Sequence, residues 1–262
     1  MKKCYFKYIF FIKILCYPIF IFSQNLPPDD IPKKDLFGRK TVLLSHPWSG
    51  SIWTAYSLGI LTNRLCLQHG VNYNLDYDKN KVFIHKTHNL SGDIYSKKQP
   101  DYYSSERDYL ILIVRNYKEI LFRQAKSFES LLFHMENSKK KPWFQWYLQP
   151  LKDFDHWDSS RKILIYYEDL LQNPKKIFKE LLSFLNEGDT FLDEFLLHIN
   201  EHKNACLNIR KNHGWEKIYS QGNDIFFHSK KFTKQQREKI DQLMELLFPY
   251  YFKKYLLRYV EK

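Results

Sequence analysis

Four short polar segments carry the residues that could do chemistry in this chain of 262 residues. They are the segments 45–53, 85–90, 114–118 and 166–174. The first holds Ser49, Gly50 and Ser51, which form a tight turn before a predicted helix that begins with Ile52 and Trp53. Successive backbone N–H groups and a helix N-terminus at such a turn could bind an anion. A Ser-Gly-Ser turn is also an ordinary helix N-cap, and the Walker A pattern is absent.

The other three segments add cations, an imidazole and a phenol. Lys86 and His88 are two residues apart on a predicted extended segment, so they point to the same side and could supply a cation and a general base to one pocket. An ordinary polar surface loop has the same pattern. Arg115 and Tyr167 follow two further predicted strands. Taken together, the four segments indicate a site for a phosphorylated nucleotide.

Alternating strands and helices must position these residues. Apolar, β-branched runs predict strands at 41–46, 82–85, 109–114 and 162–167. Helical spacing of apolar residues predicts helices at 50–66, 117–135, 174–185, 190–201 and 233–247. This alternation is typical of an α/β fold with a parallel sheet and helices on both faces, in which ligands bind at the carboxyl ends of the strands.

The composition fits a globular protein with an anionic partner. Hydrophobic residues make up 44% of the chain, which excludes a disordered or collagen-like protein. Lys and Arg number 41 against 29 Asp and Glu, for a net charge of +12. Four of these charges lie in residues 1–24, so the rest still carries +8. The excess favours nucleic acid, a membrane surface or a phosphorylated ligand.

The N-terminus has the pattern of a targeting segment. Residues 1–24 combine four Lys with an apolar run and no acidic residue, which predicts a signal peptide. An uncleaved membrane anchor and a buried N-terminal helix are the alternatives. We therefore expect the protein to be exported or membrane-anchored through this segment, with a cytoplasmic location as the alternative. Residues 25–40 are a Pro- and Lys-containing linker, and residues 41–262 form the remaining domain. That domain keeps Cys66 and Cys206, which could pair in an oxidising compartment.

The ordered motifs of this domain resemble the PAPS-dependent sulfotransferase family, where PAPS is 3′-phosphoadenosine 5′-phosphosulfate. The resemblance extends over about residues 41–247 and also takes in a basic, Gly-containing loop at 209–217 and a helix start at 232–237. The motifs are S-H-P-W-S-G-S-I-W at 45–53, K-T-H-N-L at 86–90, L-I-V-R-N at 112–116 and Y-E-D-L-L-Q-N-P at 167–174.

The resemblance implies a three-layer α/β fold with a P-loop-like nucleotide site and a central parallel sheet of about five strands. It implies transfer of the sulfuryl group of PAPS to a hydroxyl or amine of a small-molecule or glycan acceptor, without a metal. Lys86 and His88 would be catalytic, with His88 as general base. The PAPS-binding residues would be Ser49, Gly50, Ser51, Ile52, Trp53, Arg115, Arg123, Tyr167, Arg210 and Lys211.

Two positions in these motifs and the helix after them depart from the family pattern. The family usually has Lys or Arg where this chain has Trp48, and an indole carries one N–H and no charge. Removing one such transition-state donor typically costs about 2.7–4 kcal/mol. The family's 3′-phosphate Ser corresponds to Arg123, whose planar fork can also reach phosphate. The alternative function is therefore a catalytically impaired protein that binds PAPS or its product PAP.

Three other patterns point to other functions or structures. His198 and His202 match the H-x-x-E-H metalloprotease pattern, but no further carboxylate ligand is identifiable. The Lys run at 139–141 comes without a recognised nucleic-acid-binding motif, so we expect no nucleic-acid partner. Segment 134–160 is rich in aromatic residues and predicts either an acceptor-binding lid or a satellite hydrophobic cluster under a long loop. Its aromatic residues include Trp143, Trp146, Tyr147, Phe154 and Trp157.

Overall fold

The computed structural model describes residues 41–64, 66–68, 71–72, 84–90, 108–125, 127–137, 142–212 and 229–260. The predicted signal peptide, the linker and the Lys run at 139–141 lie outside the described residues. Within the described part of the chain, no helix has both the length and the apolar character needed to cross a membrane.

A six-stranded sheet lies at the centre of the described structure. Five strands run parallel in the order β2-β4-β1-β5-β6, and the two-residue β3 pairs antiparallel with the edge strand β2. The strands are β1 (Thr41–Ser45), β2 (Cys66–Gln68), β3 (Val71–Asn72), β4 (Ile84–Thr87), β5 (Tyr109–Val114) and β6 (Lys162–Tyr166). The predicted parallel sheet is confirmed, with β1 flanked by β4 and β5.

Helices follow the strands and cover both faces of the sheet. They are α1 (Ser51–Thr62), α2 (Tyr117–Gln124), α3 (Phe128–Glu136), α4 (Pro142–His156), α5 (Tyr167–Gln172), α6 (Pro174–Phe184), α7 (Leu192–Leu197), α8 (Ile199–Asn212) and α9 (Lys234–Leu247). Three further short helical turns, at Pro249–Tyr251, Phe252–Leu256 and Leu257–Tyr259, follow α9. Thr233 begins α9 with a capping box closed by Gln236, as expected for a Thr three residues before Gln.

The alternation of side chains along the strands divides the core into two clusters. Leu110, Leu112 and Val114 of β5 face one cluster, while Ile111 and Ile113 face the other. Because successive strand residues point to opposite faces, an uninterrupted apolar run is what a sheet covered on both sides requires.

The predicted aromatic insertion is part of the main core and not a lid. Tyr147, Phe154 and Trp157 lie in or directly after α4 and are buried in the same cluster as β5. The Trp157 Nε1–H donates to the carbonyl of Asp108 at 3.2 Å, which ties the end of α4 to the start of β5. The lid and satellite-cluster interpretations are therefore both wrong for these three residues. The side chains of Trp143 and Trp146 lie outside the described part.

Four other predictions need correction. The helix predicted at 117–135 is two helices, because Ala125 is extended and the Ser127 side chain caps α3. The helix predicted at 190–201 is also two, α7 and α8. Residues 209–212, predicted as the start of a loop, form the last turn of α8, and residues 213–217 lie outside the described residues. Cys66 and Cys206 are both buried thiols that are not joined in a disulfide.

Candidate functional site

The turn between β1 and α1 forms the floor of the site. Gly50 is the N-cap of α1, with a φ of 80°, and no side chain caps this helix end. Ser51, Ile52 and Trp53 form the buried first turn of α1, so their backbone N–H groups are directed toward the turn. Such a helix start concentrates positive partial charge, about half an elementary charge at the N-terminus. Residues 46–53, which we call the anion turn, have the chemistry to hold an anionic group.

Gly50 is required here for two reasons. Its left-handed φ favours a residue without Cβ. A Cβ at this position would also lie 2.8 Å from Cζ of Tyr167, and closer still to two other carbons of that ring. Tyr167, at the start of α5, therefore packs directly on the backbone of the turn. Ser49 is buried and its hydroxyl donates to the carbonyl of His46 at 2.7 Å, so that proton stabilises the turn itself.

Lys86 and His88 meet beside this turn, at the carboxyl end of β4. Lys86 is 2% exposed, and its Nζ lies 2.6 Å from Nε2 of His88. The Nδ1 of His88 lies 2.6 Å from the carbonyl oxygen of Ser45, the last residue of β1. A carbonyl only accepts, so Nδ1 carries the hydrogen and Nε2 accepts from Lys86. With Lys86 as an ammonium donor, these two contacts assign His88 as a neutral imidazole whose basic nitrogen is directed toward Lys86.

Arg115 crosses from the end of β5 to the same turn. Its Nη1 donates to the carbonyl of Trp48 at 2.9 Å, and its Cζ lies over the Tyr167 ring, 4.8 Å from the centroid. Burial raises the pKa of Tyr167, so this phenol stays neutral under the cation. Arg115, Trp48 and Tyr167 form one packed unit around the anion turn.

Arg123, in the last turn of α2, contacts the turn through Trp48. Its Cζ lies over the indole of Trp48, 5.5 Å from the ring centroid. Trp48 itself has a left-handed φ of 72°, which for a non-glycine residue costs about 1–2 kcal/mol. Two guanidinium groups therefore contact Trp48: that of Arg115 contacts the Trp48 carbonyl, and that of Arg123 contacts the indole ring.

Two buried or half-buried carboxylates hold these segments in place. Glu168 accepts from the backbone N–H of Asn116 at 2.9 Å and from the hydroxyl of Tyr259 at 2.8 Å, which fixes the segment after Arg115. Asp153 of α4 accepts from the backbone N–H of Leu90 at 3.0 Å, which fixes the segment after His88. Burial raises the pKa of Asp153. Sequence reasoning missed both tethers, because neither has a local signal.

Most of the predicted site residues come together around the anion turn. Ser49 to Trp53, Arg115, Arg123 and Tyr167 belong to the turn or contact its residues. Lys86 and His88 contact each other and the last residue of β1, Ser45, directly before the turn. Arg210 and Lys211 lie in the last turn of α8, but their side chains are outside the described part. Earlier on α8, Lys203 places its Nζ over the Trp53 ring, 4.7 Å from the centroid, and burial lowers its pKa. This neighbour was not predicted.

The histidines of the metalloprotease pattern have other surroundings. His198 pairs with Glu201 at 3.1 Å on the protein surface. His202 stacks on Phe195 with ring centroids 4.6 Å apart, and burial lowers its pKa. Within the described ranges, no group of three or more His, Cys, Asp or Glu is placed to hold a metal ion.

Comparison with known proteins finds similar solved structures but no similar curated sequences or sequence families. No protein-family model and no curated protein sequence matches the chain. A mouse sulfotransferase complexed with PAP matches with a TM-score of 0.51 and 16% identity, covering 80% of this chain and 85% of that one. A retinol dehydratase in complex with retinol and PAP matches with a TM-score of 0.55 and 10% identity, covering 79% and 80%.

The chain has a sulfotransferase-like fold. The parallel sheet with helices on both faces, expected from the motif order, is the architecture that these matches share with it. In this sulfotransferase-like fold, the anion turn after β1, the Lys86–His88 pair at the end of β4 and Arg115 after β5 all lie at the carboxyl edge of the sheet.

Proposed function

We propose that the protein is a sulfotransferase that transfers the sulfuryl group of PAPS to a hydroxyl or amine of a small-molecule or glycan acceptor. The observation that carries the proposal is the chain of contacts from Ser45 through His88 to Lys86, beside an anion turn. It places a neutral imidazole, with its basic nitrogen defined, next to a buried cation and a helix N-terminus. PAP in the structural neighbours supports PAPS as donor.

The donor would bind across the carboxyl edge of the sheet. The backbone N–H groups at the start of α1 suit the 5′-phosphosulfate, and Lys86 suits its bridging or sulfuryl oxygens. Arg115 and Arg123 are the cations for the phosphates, with Tyr167 beside the adenine. Arg210 and Lys211 would close over the 3′-phosphate. These charges and backbone donors stabilise the transferred group, so the proposed reaction needs no metal ion.

Lys86 must change partner for His88 to act as a base. In the structure its ammonium contacts Nε2 of His88, which is the lone pair that a general base uses. An opposite charge at about 4 Å attracts an ammonium by about 4 kcal/mol at an effective dielectric constant of about 20, and a neutral imidazole offers no such charge. We therefore expect the phosphosulfate to draw Lys86 away from His88 when the donor binds.

In the proposed chemical step, sulfuryl transfer is coupled to the movement of one proton to His88. The acceptor oxygen or nitrogen bonds to sulfur while its proton passes to Nε2 of His88. The bond between sulfur and the bridging oxygen breaks, and its electron pair stays on the 5′-phosphate of PAP. The Nδ1–H bond to the Ser45 carbonyl stabilises the imidazolium that forms.

The second candidate function is a PAP-binding protein with little or no transferase activity. One observation favours it: Trp48, which carries no charge, occupies the turn where the resembling family has a cation. Loss of one such donor lowers a transfer rate by about a hundred to a thousand-fold.

Calorimetric titration with PAP and single-turnover assays with radiolabelled PAPS test the proposal. We expect wild type to bind PAP and transfer sulfuryl, and His88→Gln to keep PAP affinity while transfer falls by about 10²–10⁴-fold. His156→Gln is the matched control, because His156 is exposed at the end of α4, where its ring contacts the Lys152 carbonyl. Binding of PAP without transfer to any acceptor supports the second candidate. Absence of PAP binding contradicts both.

A further inference from the structure

Two arginine side chains contact Trp48, whose own side chain carries no charge. The Arg115 Nη1 donates to its carbonyl at 2.9 Å, and the Arg123 guanidinium lies over its indole at 5.5 Å. Trp48 is two residues before Gly50, the N-cap of α1. The cation over its ring therefore contacts a residue of the turn itself.

The indole is well suited to hold a guanidinium. Trp is the strongest partner for cation–π contacts, worth about 0.5–2 kcal/mol depending on exposure. Arg stacks on aromatic faces through its plane, and its donors lie in that plane, where they match the oxygens of a phosphate. The position of Arg123 in the last turn of α2 adds a favourable interaction with the C-terminal end of that helix.

Binding a phosphosulfate at this turn calls for more than backbone donors. The start of α1 supplies about half an elementary charge, and the donor's phosphosulfate carries more than one negative charge. Lys86 lies on the β4 side of the turn, where it contacts His88. Arg123 comes from α2, which follows β5 on the other side of β1, and contacts Trp48. The two together would enclose the anion between cations.

We propose that Trp48 is a platform that holds Arg123 at the anion turn, and that Arg123 supplies the positive charge to the 5′-phosphate end of the donor. This inference rests on the proposed function. It gives one explanation for the two departures from the sulfotransferase pattern, Trp48 and Arg123. The positive charge that residue 48 lacks is supplied by the side chain of residue 123. It moves Arg123 from the 3′-phosphate, where the resemblance would put it, to the leaving phosphate.

A double-mutant cycle of Trp48→Lys and Arg123→Ser tests the exchange. We expect Arg123→Ser to lower single-turnover transfer by about a hundred-fold in the wild-type background. In the Trp48→Lys background the same change should cost less than about threefold, because the introduced lysine then supplies the charge from the turn itself. Equal losses in the two backgrounds, or no loss in either, overturn the inference.

Nucleotide binding locates the phosphate that Arg123 contacts. With adenosine 5′-monophosphate and adenosine 3′-monophosphate as probes, Arg123→Ser should weaken binding of the 5′-phosphate at least tenfold and leave the 3′-phosphate within about twofold. A loss confined to the 3′-monophosphate overturns the inference while leaving the proposed function standing. If wild type does not bind PAP at all, the proposed function fails and this inference with it.

Two further variants isolate the platform. Trp48→Phe keeps a ring with a weaker cation–π contact, and Trp48→Leu keeps an apolar side chain without a ring. Both share the backbone cost of a left-handed φ with Trp48, so backbone strain is matched. Affinity for adenosine 5′-monophosphate should fall in the order Trp, Phe, Leu at equal urea stability. Equal affinities in the three proteins contradict a platform role.

Discussion

Two buried lysines, one at the start of α2 and one near the end of β4, have very different neighbours. Lys118, 1% exposed at the start of α2, places its Nζ 2.8 and 2.9 Å from the two carboxylate oxygens of Asp241. The Tyr117 hydroxyl also donates to that carboxylate. Lys86, 2% exposed at the end of β4, has its Nζ 2.6 Å from the imidazole of His88.

The difference separates a structural cation from one suited to a ligand. At Lys118 a carboxylate from α9 neutralises the buried charge, so the pair joins α2 to α9 and the core is electrically balanced there. At Lys86 one contact is with the imidazole of His88, at the end of β4. An arriving anion offers Lys86 a better partner than His88 does, whereas Lys118 gains nothing from one.

Removing the cation from the balanced pair should have the largest effect on stability. We expect Lys118→Met to lower the free energy of unfolding by about 3–5 kcal/mol, because the Asp241 carboxylate is left buried without its cation. The double variant Lys118→Met with Asp241→Leu should regain at least half of that loss. Urea denaturation of the three proteins measures this. A single variant within about 1 kcal/mol of wild type would contradict the structural assignment.

Removing the cation from the site should affect the chemistry instead. We expect Lys86→Met to lower single-turnover transfer from PAPS by about a hundred to a thousand-fold, equivalent to about 2.7–4 kcal/mol. Its free energy of unfolding should stay level or rise, because burying a methionine avoids the desolvation of an ammonium. Lys152→Met, on the exposed side of α4, is the matched control and should change neither quantity. A collapse in stability would show that Lys86 is structural like Lys118.

Replacing Asp153, whose carboxylate holds the segment after His88, should have the smallest effect on stability, and this effect should depend on pH. Because burial raises the pKa of Asp153, its proton is bound more tightly in the folded state than in the unfolded chain. The stability gained from that proton is present below the usual Asp pKa of about 3.9 and is lost as pH rises through the folded value.

Asp153→Asn removes this titration and keeps an oxygen to accept from Leu90. As pH rises above about 4, wild type should therefore lose free energy of unfolding relative to the Asp153→Asn variant. Denaturation curves at several pH values check this. A difference that does not change with pH, or that shifts toward wild type, is inconsistent with a buried carboxyl at this tether.

The sheet and the strand ends were predictable because their signals are local. The uninterrupted apolar run of β5 and the two-residue spacing of Lys86 and His88 need only the geometry of a strand. Helix α4 was missed because Pro142 and Pro150 suggest a loop, although Tyr147, Leu151 and Phe154 recur at helical spacing. That periodicity was the available signal.

Contacts across the sheet edge could not be predicted. The left-handed backbone of Trp48 decides where its indole lies, and nothing in the sequence requires a positive φ at a tryptophan. The contact with Arg123 follows from that conformation. The bond between His88 and the Ser45 carbonyl likewise depends on the register of β1 against β4.

The most direct test of the contrast between the two lysines is the thermal shift produced by PAP. At a PAP concentration about a hundredfold above the dissociation constant, binding stabilises wild type by about 2.7 kcal/mol, or about 5–10 °C in Tm. We predict this shift for wild type, and less than half of it for Lys86→Met at the same PAP concentration. Equal shifts in the two proteins would contradict the assignment of Lys86 to an anionic ligand.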